Sequence, residues 1–448
     1  PQKFIALFTD ITEKKQTQEI IWQQAHYDDL TQLLNRNSFT KYINSAVNGD
    51  QPFALLFIDL DHFKQVNDTL GHKVGDELLK QASHRLKHCV RASDIVSRFG
   101  GDEFTVVLSG VLTEEIIHRI CSQIIMHLSA PFDLNGEAAY ISASIGITQF
   151  PNDSRDVEEL YKYADQAMYD AKRNGRNRFS FFTQELQIAA DRQRSITSEM
   201  RLAVRNNDFH ILYQPIVHLP SKRIHKAEAL LRWQHKTRGE IPPAEFIPIA
   251  EETGLINEIG DWVFKQAALQ AKVWRKHHDP SFQVSINKSP VQFYHDADRG
   301  HEHWSAFLKT INLSGDGIAV EITEGLLLDS TSQVREKLED FQKSGIAISL
   351  DDFGTGYSAL SYLKKFNIDY IKIDRSFVMN LEHDKYDRIL CETIISMAHK
   401  LGMMVTAEGI ENENQKDILQ AAGCDYGQGF LFSPAITASE LTKLIEEN

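Results

Sequence analysis

Ile346-Ala347-Ile348-Ser349-Leu350-Asp351-Asp352-Phe353-Gly354-Thr355-Gly356-Tyr357-Ser358 joins an apolar run to two adjacent acids and a glycine-bearing turn. The apolar run reads as a fully buried strand. Neighbouring carboxylates at its end disfavour joint ionisation, a penalty that a divalent cation removes. Glycines 354 and 356 let the backbone turn sharply and leave room for a ligand. The pattern of apolar run and polar end recurs through the second half of the chain. Runs lie at about 209–216, 222–231, 282–287, 317–322, 345–351, 368–374, 403–408 and 425–432. Most are separated by helix-length segments, such as 262–277 and 333–343. That rhythm predicts an α/β fold, a (β/α)8-type barrel. Only a few residues around Leu219-Pro220-Ser221 separate the first two runs, too few for a crossover helix. That pair is expected to be an antiparallel hairpin within an otherwise parallel barrel.

Polar residues fall where barrel chemistry belongs, at the C-terminal ends of strands. Asn287 ends Val284-Ser285-Ile286, and Glu321 ends Ile318-Ala319-Val320 with Glu324 just beyond. Glu408 ends Val405-Thr406-Ala407, Glu228 sits within Lys226-Ala227-Glu228-Ala229-Leu230-Leu231, and Lys372 lies in the apolar Tyr370-Ile371-Lys372-Ile373. Any one of them alone reads as a capping or ion-paired residue. Together Glu228, Asn287, Glu321, Asp351, Asp352 and Glu408 bring carboxylates and an amide to one mouth, oxygen ligands suited to magnesium or manganese. Two ions are the economical explanation for so many acids. The expected chemistry is metal-assisted hydrolysis of a phosphodiester.

These residues resemble the EAL family of cyclic di-GMP phosphodiesterases from about residue 205 to the end. The likeness rests on Glu228-Ala229-Leu230-Leu231-Arg232, Asp351-Asp352-Phe353-Gly354-Thr355-Gly356 and Ile371-Lys372-Ile373-Asp374. It implies that Glu228, Asn287, Glu321 and Asp351 hold one metal. Asp351 would bridge to a second, which Asp352 and Glu408 also serve. It further implies that Lys372 orients the attacking water, that Gln214, Arg232 and Gln428 contact substrate, and that Glu324 fixes the loop of the paired aspartates. None of these positions is replaced. The product expected from cyclic di-GMP is linear pGpG.

The first half carries a different set. Phe53-Ala54-Leu55-Leu56-Phe57-Ile58-Asp59-Leu60-Asp61 is an apolar strand ending in acids two apart, on one face. Ser97 to Leu108 reads as a hairpin whose turn carries Gly100-Gly101, followed at once by Asp102 and Glu103. Lys172-Arg173-Asn174-Gly175-Arg176 supplies cations suited to a triphosphate. Acids for a metal with cations for phosphate is the composition a nucleotidyl-transfer site needs. A Gly-Gly hairpin alone is far more often a mere turn; with the other two elements the balance reverses.

Gly100-Gly101-Asp102-Glu103-Phe104, Asp29-Leu30-Thr31 and Gly175-Arg176-Asn177 resemble the GGDEF family of diguanylate cyclases over about residues 25–182. The resemblance implies a nucleotidyl-cyclase-like α/β sandwich in which Asp59, Asp102 and the Leu60 carbonyl hold magnesium with GTP. Glu103 would assist the metal or activate the 3′-hydroxyl. Asn67 and Asp76 would read guanine, and Lys172 and Arg176 would hold phosphates. Arg91 and Asp94 lie where the family grips cyclic di-GMP as an inhibitor. Each such domain holds one GTP, so synthesis of cyclic di-GMP requires two copies meeting in a symmetric homodimer. The other reading is a GTP-binding regulator without turnover.

Phe4 to Thr9 and the polar helix after it resemble the exit of a PAS domain, so residues 1–24 are expected to be a PAS exit strand and signalling helix. Thr183 to Val204 is charged and free of Gly and Pro, a linker helix over 183–204 leading into the barrel at 205–448. With 448 residues, 42% hydrophobic and 25% charged, the chain has an ordinary globular composition for two or three domains. A net charge of −14 argues against a broad basic surface for nucleic acid. Four scattered cysteines without CxxC spacing argue against zinc and disulfides and fit a reducing cytoplasm. No apolar run reaches the length of a membrane span, so membrane attachment is expected only through a missing N-terminal region.

Overall fold

The computed structural model describes residues 20–447 apart from 111–112, 135, 207, 295–299, 329–330, 355–362 and 364–365, and leaves the side chains of 300–303 and 328 undescribed. The PAS exit strand and most of the first helix expected at 1–24 therefore lie outside the described residues. So does the 355–358 part of the paired-aspartate stretch. Residues 20–26 are helical. The chain divides into two compact units, 1–193 and 194–448.

The first unit contains β1 (Phe53–Asp61), β2 (Ile95–Gly100), β3 (Glu103–Ser109), β4 (Phe132–Leu134), β5 (Glu137–Ala139), β6 (Ser142–Phe150) and β7 (Arg178–Phe181). Five of them form one sheet in the order β2-β3-β1-β6-β7, while β4 and β5 pair separately. β1 is antiparallel to β3 and β6, and β7 joins β6 in parallel. Every residue of β1 is buried, because helices cover both faces of the sheet. Leu56 and Ile58 pack with Leu78 and Leu86 of helix His72–Cys89 and with Ile117 and Ile124 of helix Glu114–Ser129. Phe53, Leu55 and Phe57 pack instead with Phe39 and Ile43 of helix Arg36–Asn48 and Leu160 and Ala164 of helix Val157–Arg173. This is the α/β sandwich expected. A continuous apolar strand needs such two-sided cover, since each large side chain buried is worth about 1.5–3 kcal/mol.

The second unit begins within helix Gln184–Asn206 and contains β8 (Phe209–His218), β9 (Ile224–His235), β10 (Gly239–Ile241), β11 (Gln283–Asn287), β12 (Ile318–Thr323), β13 (Ala347–Phe353), β14 (Tyr370–Ile373), β15 (Met404–Ala407) and β16 (Tyr426–Gly427). β9 and β11 to β16 follow one another in parallel. β8 closes the barrel antiparallel to both of its neighbours, β9 and β16, as the short Leu219-Pro220-Ser221 connection required. The small strand β10, not foreseen, folds back on the far end of β9. Among the described residues no helix is long and apolar enough to cross a membrane.

Lys226 and Lys288 are buried against aromatic rings within this unit. The Lys226 ammonium lies 3.2 Å from the Tyr370 ring centroid and 4.5 Å from that of Tyr426, and that of Lys288 lies 4.2 Å from Trp304. Burial pushes both amines down to about 7, more than nearby carboxylates restore. The unfolded lysine keeps its proton to far higher pH, so above about 7 the unfolded chain binds more protons and stability rises with pH. The slope is at most ~1.4 kcal/mol per pH unit for each lysine. Denaturant titrations at pH 7 and pH 9 are expected to show this gain, and Lys288→Met to remove part of it. Equal slopes in variant and parent would contradict an amine at Lys288 that burial pushes down to about 7.

Candidate active site

Parallel register carries the barrel's polar residues to one end. Ser285 is the Cα partner of Glu228, Asn287 of Glu321, and Thr323 of Asp351. At their centre is Lys372 of β14, 2% exposed. Its Nζ lies 2.6 Å from Glu408 Oε1, 2.7 Å from Glu321 Oε2, 3.2 Å from Asp351 Oδ1 and 3.5 Å from Glu228 Oε2. Burial alone would lower the amine, but the four carboxylates outweigh it and hold Lys372 well above its ordinary range. One amine cannot balance so many acids. Burial, with Glu228 and Asp351 close by, therefore drives Glu321 well above the usual carboxylate range. Burial likewise lifts Glu408 to about 7 against the pull of Lys372.

Glu228 is the best-supported acid of the group. Asn287 Nδ2 donates to its Oε1 at 2.6 Å, and Gln428 Nε2 donates to its Oε2 at 2.7 Å. Gln428 Nε2 also reaches Gln214 Oε1 at 3.0 Å, and Gln214 Nε2 donates to the Ser433 carbonyl at 3.2 Å. These bonds and Lys372 overcome the burial penalty and keep Glu228 below its ordinary pKa. Asp352 lies in the bulge between Leu350 and Phe353 with φ +53°, and its N–H donates to Asp351 Oδ1 at 3.1 Å. Glu324 Oε2 accepts the Gly354 N–H at 3.4 Å, a long contact to the same turn. Arg232 is placed apart from the acids: its Nε pairs with Glu240 of β10 at 3.4 Å, and Nη1 donates to the Leu231 carbonyl.

The donor set fits hard divalent cations. Asp351, Asp352 and Glu408 offer oxygens within 4.8 Å of one another, with further carboxylate oxygens of Glu228 and Glu321 around the same amine. Gln428 Oε1 is buried and has no hydrogen-bond partner among the described residues, a further acceptor left for a ligand. The cleft above the acids holds about 300 Å³ and is also lined by Arg375, Glu411 and Phe430. Sequence reading missed these three. Arg375 directly follows Ile371-Lys372-Ile373-Asp374, and Phe430 stands two residues past Gln428. Phe430 is 71% exposed at the mouth, which isolated residue types in a sequence do not disclose.

The first unit gathers its own polar group at the β1 and β3 ends. Asp59 and Glu103 are Cα partners, and the Leu60 N–H donates to the Asp102 carbonyl at 3.3 Å, so the Gly-Gly turn folds over the strand end. Lys172 Nζ lies 2.8 Å from Asp59 Oδ2. Burial raises Asp59 in spite of Lys172, and raises Glu103 with help from Asp59 and from Asp165, an acid not singled out in the sequence. Arg98, also missed, holds the turn: Nε and Nη2 donate to the Gly101 carbonyl at 3.0 and 2.8 Å, while Nη1 bonds Asp28 Oδ1 at 3.1 Å. Arg91 and Asp94 line a separate cavity of about 500 Å³ with Tyr27 and Lys87. There Asp94 accepts the backbone N–H groups of Arg91 and Ser109.

Helices Phe63–Leu70 and His72–Cys89 bring Asn67 against Gly75, one residue from Asp76. A Cβ at Gly75 would stand 1.9 Å from Asn67 Oδ1. Gly75→Ala must therefore displace the Asn67 side chain. Any ligand read by Asn67 is expected to bind about 10-fold more weakly, measured by calorimetry, a loss of the size of one hydrogen bond. Unchanged affinity would show that Asn67 does not touch it.

The EAL domain model matches residues 197–435, and the model for the diguanylate cyclase, GGDEF domain, matches residues 25–178. The chain is 36% identical over 428 residues to the cyclic di-GMP phosphodiesterase NbdA of Pseudomonas aeruginosa, covering 94% of this chain and 54% of that protein. It is 37% identical over 430 residues to the bifunctional diguanylate cyclase/cyclic di-GMP phosphodiesterase MucR of the same organism, covering 94% of this chain and 61% of the relative. A solved structure of the PaMucR phosphodiesterase in complex with c-di-GMP matches 55% of this chain and 99% of its own, at 34% identity and a TM-score of 0.53. The chain thus spans little more than half the length of these two curated relatives.

Proposed function

Because the chain belongs to the EAL domain family and carries a GGDEF domain ahead of its barrel, we propose that the barrel mouth hydrolyses cyclic di-GMP to linear pGpG. The observation that carries this reading is the buried Lys372 amine among Glu228, Glu321, Asp351 and Glu408 at the C-terminal ends of the strands. The relatives named phosphodiesterases support it, as does the bound c-di-GMP of the PaMucR structure. Magnesium or manganese would be held by Glu228, Asn287, Glu321, Asp351, Asp352 and Glu408. Bound there, two such ions would acidify water and absorb charge on the phosphoryl oxygens.

The chain's own groups divide the remaining work. Lys372, always charged in this setting, orients the attacking water and stands ready for the charge that grows on phosphorus oxygens. Glu408, 2.6 Å from the Lys372 amine, lies at the same end of the site. Asn287 and Gln428 fix Glu228 so that its oxygens do not wander during turnover. Gln214, Gln428 and Arg232 contact the substrate, and Glu324 steadies the Asp351-Asp352 turn. Limits of 25–182 and 205–448 remain our reading of the two domains, joined by a linker helix.

For the GGDEF domain, Asp59, Asp102 and the Leu60 carbonyl are suited to magnesium with GTP, Glu103 to assisting it, Lys172 and Arg176 to phosphates, and Asn67 and Asp76 to guanine. Two copies brought together would condense two GTP into cyclic di-GMP, with Arg91 and Asp94 gripping the product. A second reading, GTP as a regulator without turnover, is favoured by the similarity to NbdA, which is named as a phosphodiesterase alone. Supplying GTP and cyclic di-GMP separately, with magnesium, and separating the products by chromatography tests all of this. Absence of pGpG from cyclic di-GMP would defeat the main proposal. Faster hydrolysis with GTP left intact would select the regulator.

A further inference from the structure

Asp61 stands two residues after Asp59 on the same face of β1, where it invites a role as a metal ligand. Its surroundings assign it otherwise. It is 2% exposed, and both of its oxygens are occupied by donors of the chain itself. Ser144 Oγ donates to Oδ1 at 2.8 Å, and Ser142 Oγ and the Asn177 backbone N–H donate to Oδ2 at 2.6 and 3.2 Å. Three of the roughly four acceptor positions of a carboxylate are thereby filled. The Asn177 bond is the informative one. Gly175, Arg176 and Asn177 all have positive φ, +107°, +59° and +50°. Asparagine tolerates that region, but arginine there is strained and persists only where its surroundings hold it. The Asn177 side chain is held as well, its Oδ1 accepting from Ser129 Oγ at 2.7 Å.

We infer that Asp61 is a positioning residue for nucleotide phosphate: it pins the left-handed turn at Asn177 and so fixes Arg176 beside the Asp59 end of β1. The inference rests on the reading that Arg176 holds the phosphates of GTP. A charged acceptor suits this task better than a neutral one, because hydrogen bonds to an ionised group are about twice as strong. Asn keeps the shape of the side chain but offers one uncharged acceptor oxygen in place of two, so the bond to the Asn177 N–H loses its charged partner.

The test is calorimetric binding of a non-hydrolysable GTP analogue and of guanosine to the whole chain with magnesium. Asp61→Asn is expected to weaken the triphosphate about 10-fold, while guanosine affinity stays within about 2-fold. Arg176→Ala is expected to do the same, and the double variant to bind no more weakly than Arg176→Ala alone. The magnesium concentration needed for half-maximal binding is expected to stay unchanged in Asp61→Asn. Additive losses, an equal loss for guanosine, or a shifted magnesium requirement would overturn the inference. Loss with Arg176→Ala but none with Asp61→Asn would overturn it alone, whereas no loss with Arg176→Ala would overturn the phosphate reading itself. Should Asp61→Asn fail to fold, Ser142→Ala removes one of the same bonds at the rim. It is expected to cost the triphosphate about 3-fold and guanosine nothing, and equal affinity for the triphosphate would count against the inference.

Discussion

Lys372→Met is expected to reduce hydrolysis of cyclic di-GMP by about 10³-fold or more and, in a chelator, to destabilise the barrel by ~3–5 kcal/mol. Both effects come from one arrangement. The amine is the partner of four buried carboxylates, and methionine fills its volume while leaving those acids facing each other. Removing one member of a buried ionic group costs far more than the group contributes, because the remaining charges keep their desolvation penalty. Glu321 and Glu408, already lifted by burial, would be driven to hold protons. Added magnesium or manganese is expected to return much of the lost stability, since divalent charge replaces the missing ammonium. It is not expected to return turnover if, as we propose, the amine orients the attacking water, a task the ions do not take over. Denaturant midpoints in EDTA and in magnesium, with initial rates at saturating metal, separate the two effects. Turnover within about 10-fold of the parent would remove Lys372 from the chemistry.

The barrel was legible from the sequence because its signals are local. Each of Asn287, Glu321, Asp351 and Glu408 follows its own apolar run, so strand and acid are read in one glance. The antiparallel β8–β9 pair followed from chain length alone, a connection too short to cross a sheet. The distribution of charge was not legible. Nothing near Lys372 in the sequence shows that its amine meets four carboxylates, the farthest of them 144 positions away at Glu228. The chain of amides from Ser433 through Gln214 and Gln428 to Glu228 likewise depends on barrel closure, which brings β8 beside β16. Phe430, Arg375 and Glu411 went unread because each is a single residue whose meaning lies in exposure at the cleft. In the first unit, spacing placed Asp59 and Asp61 on one face of the strand. The fold separates them, giving one to Lys172 and the other to two serines and a backbone N–H. Two carboxylates of one strand face can differ entirely in what their neighbours leave unfilled.

Asp352→Asn is expected to abolish hydrolysis, by about 10³-fold or more, with the fold and the binding of cyclic di-GMP retained. The contrast with Lys372 is physical. Asp352 is exposed, whereas Lys372 is sealed beneath the other acids. Its backbone sits at φ +53°, a region that asparagine tolerates as readily as aspartate, so the turn loses nothing by the change. Its carboxyl is raised by burial and then by Asp351 and Asp374, so neutralising it relieves repulsion among crowded acids. Stability in a chelator is therefore expected to stay level or to rise by up to ~1 kcal/mol, opposite in sign to Lys372→Met. What the substitution removes is a charge that a divalent ion needs. Metal affinity is expected to fall, seen as a higher magnesium or manganese requirement in calorimetry. Binding of the dinucleotide, which we propose is held by Gln214, Arg232 and Gln428, is expected to stay within a few fold. An Asp352→Asn variant that turns over at the parental rate, or that unfolds as Lys372→Met does, would contradict the placement of this acid at the reacting end of the site.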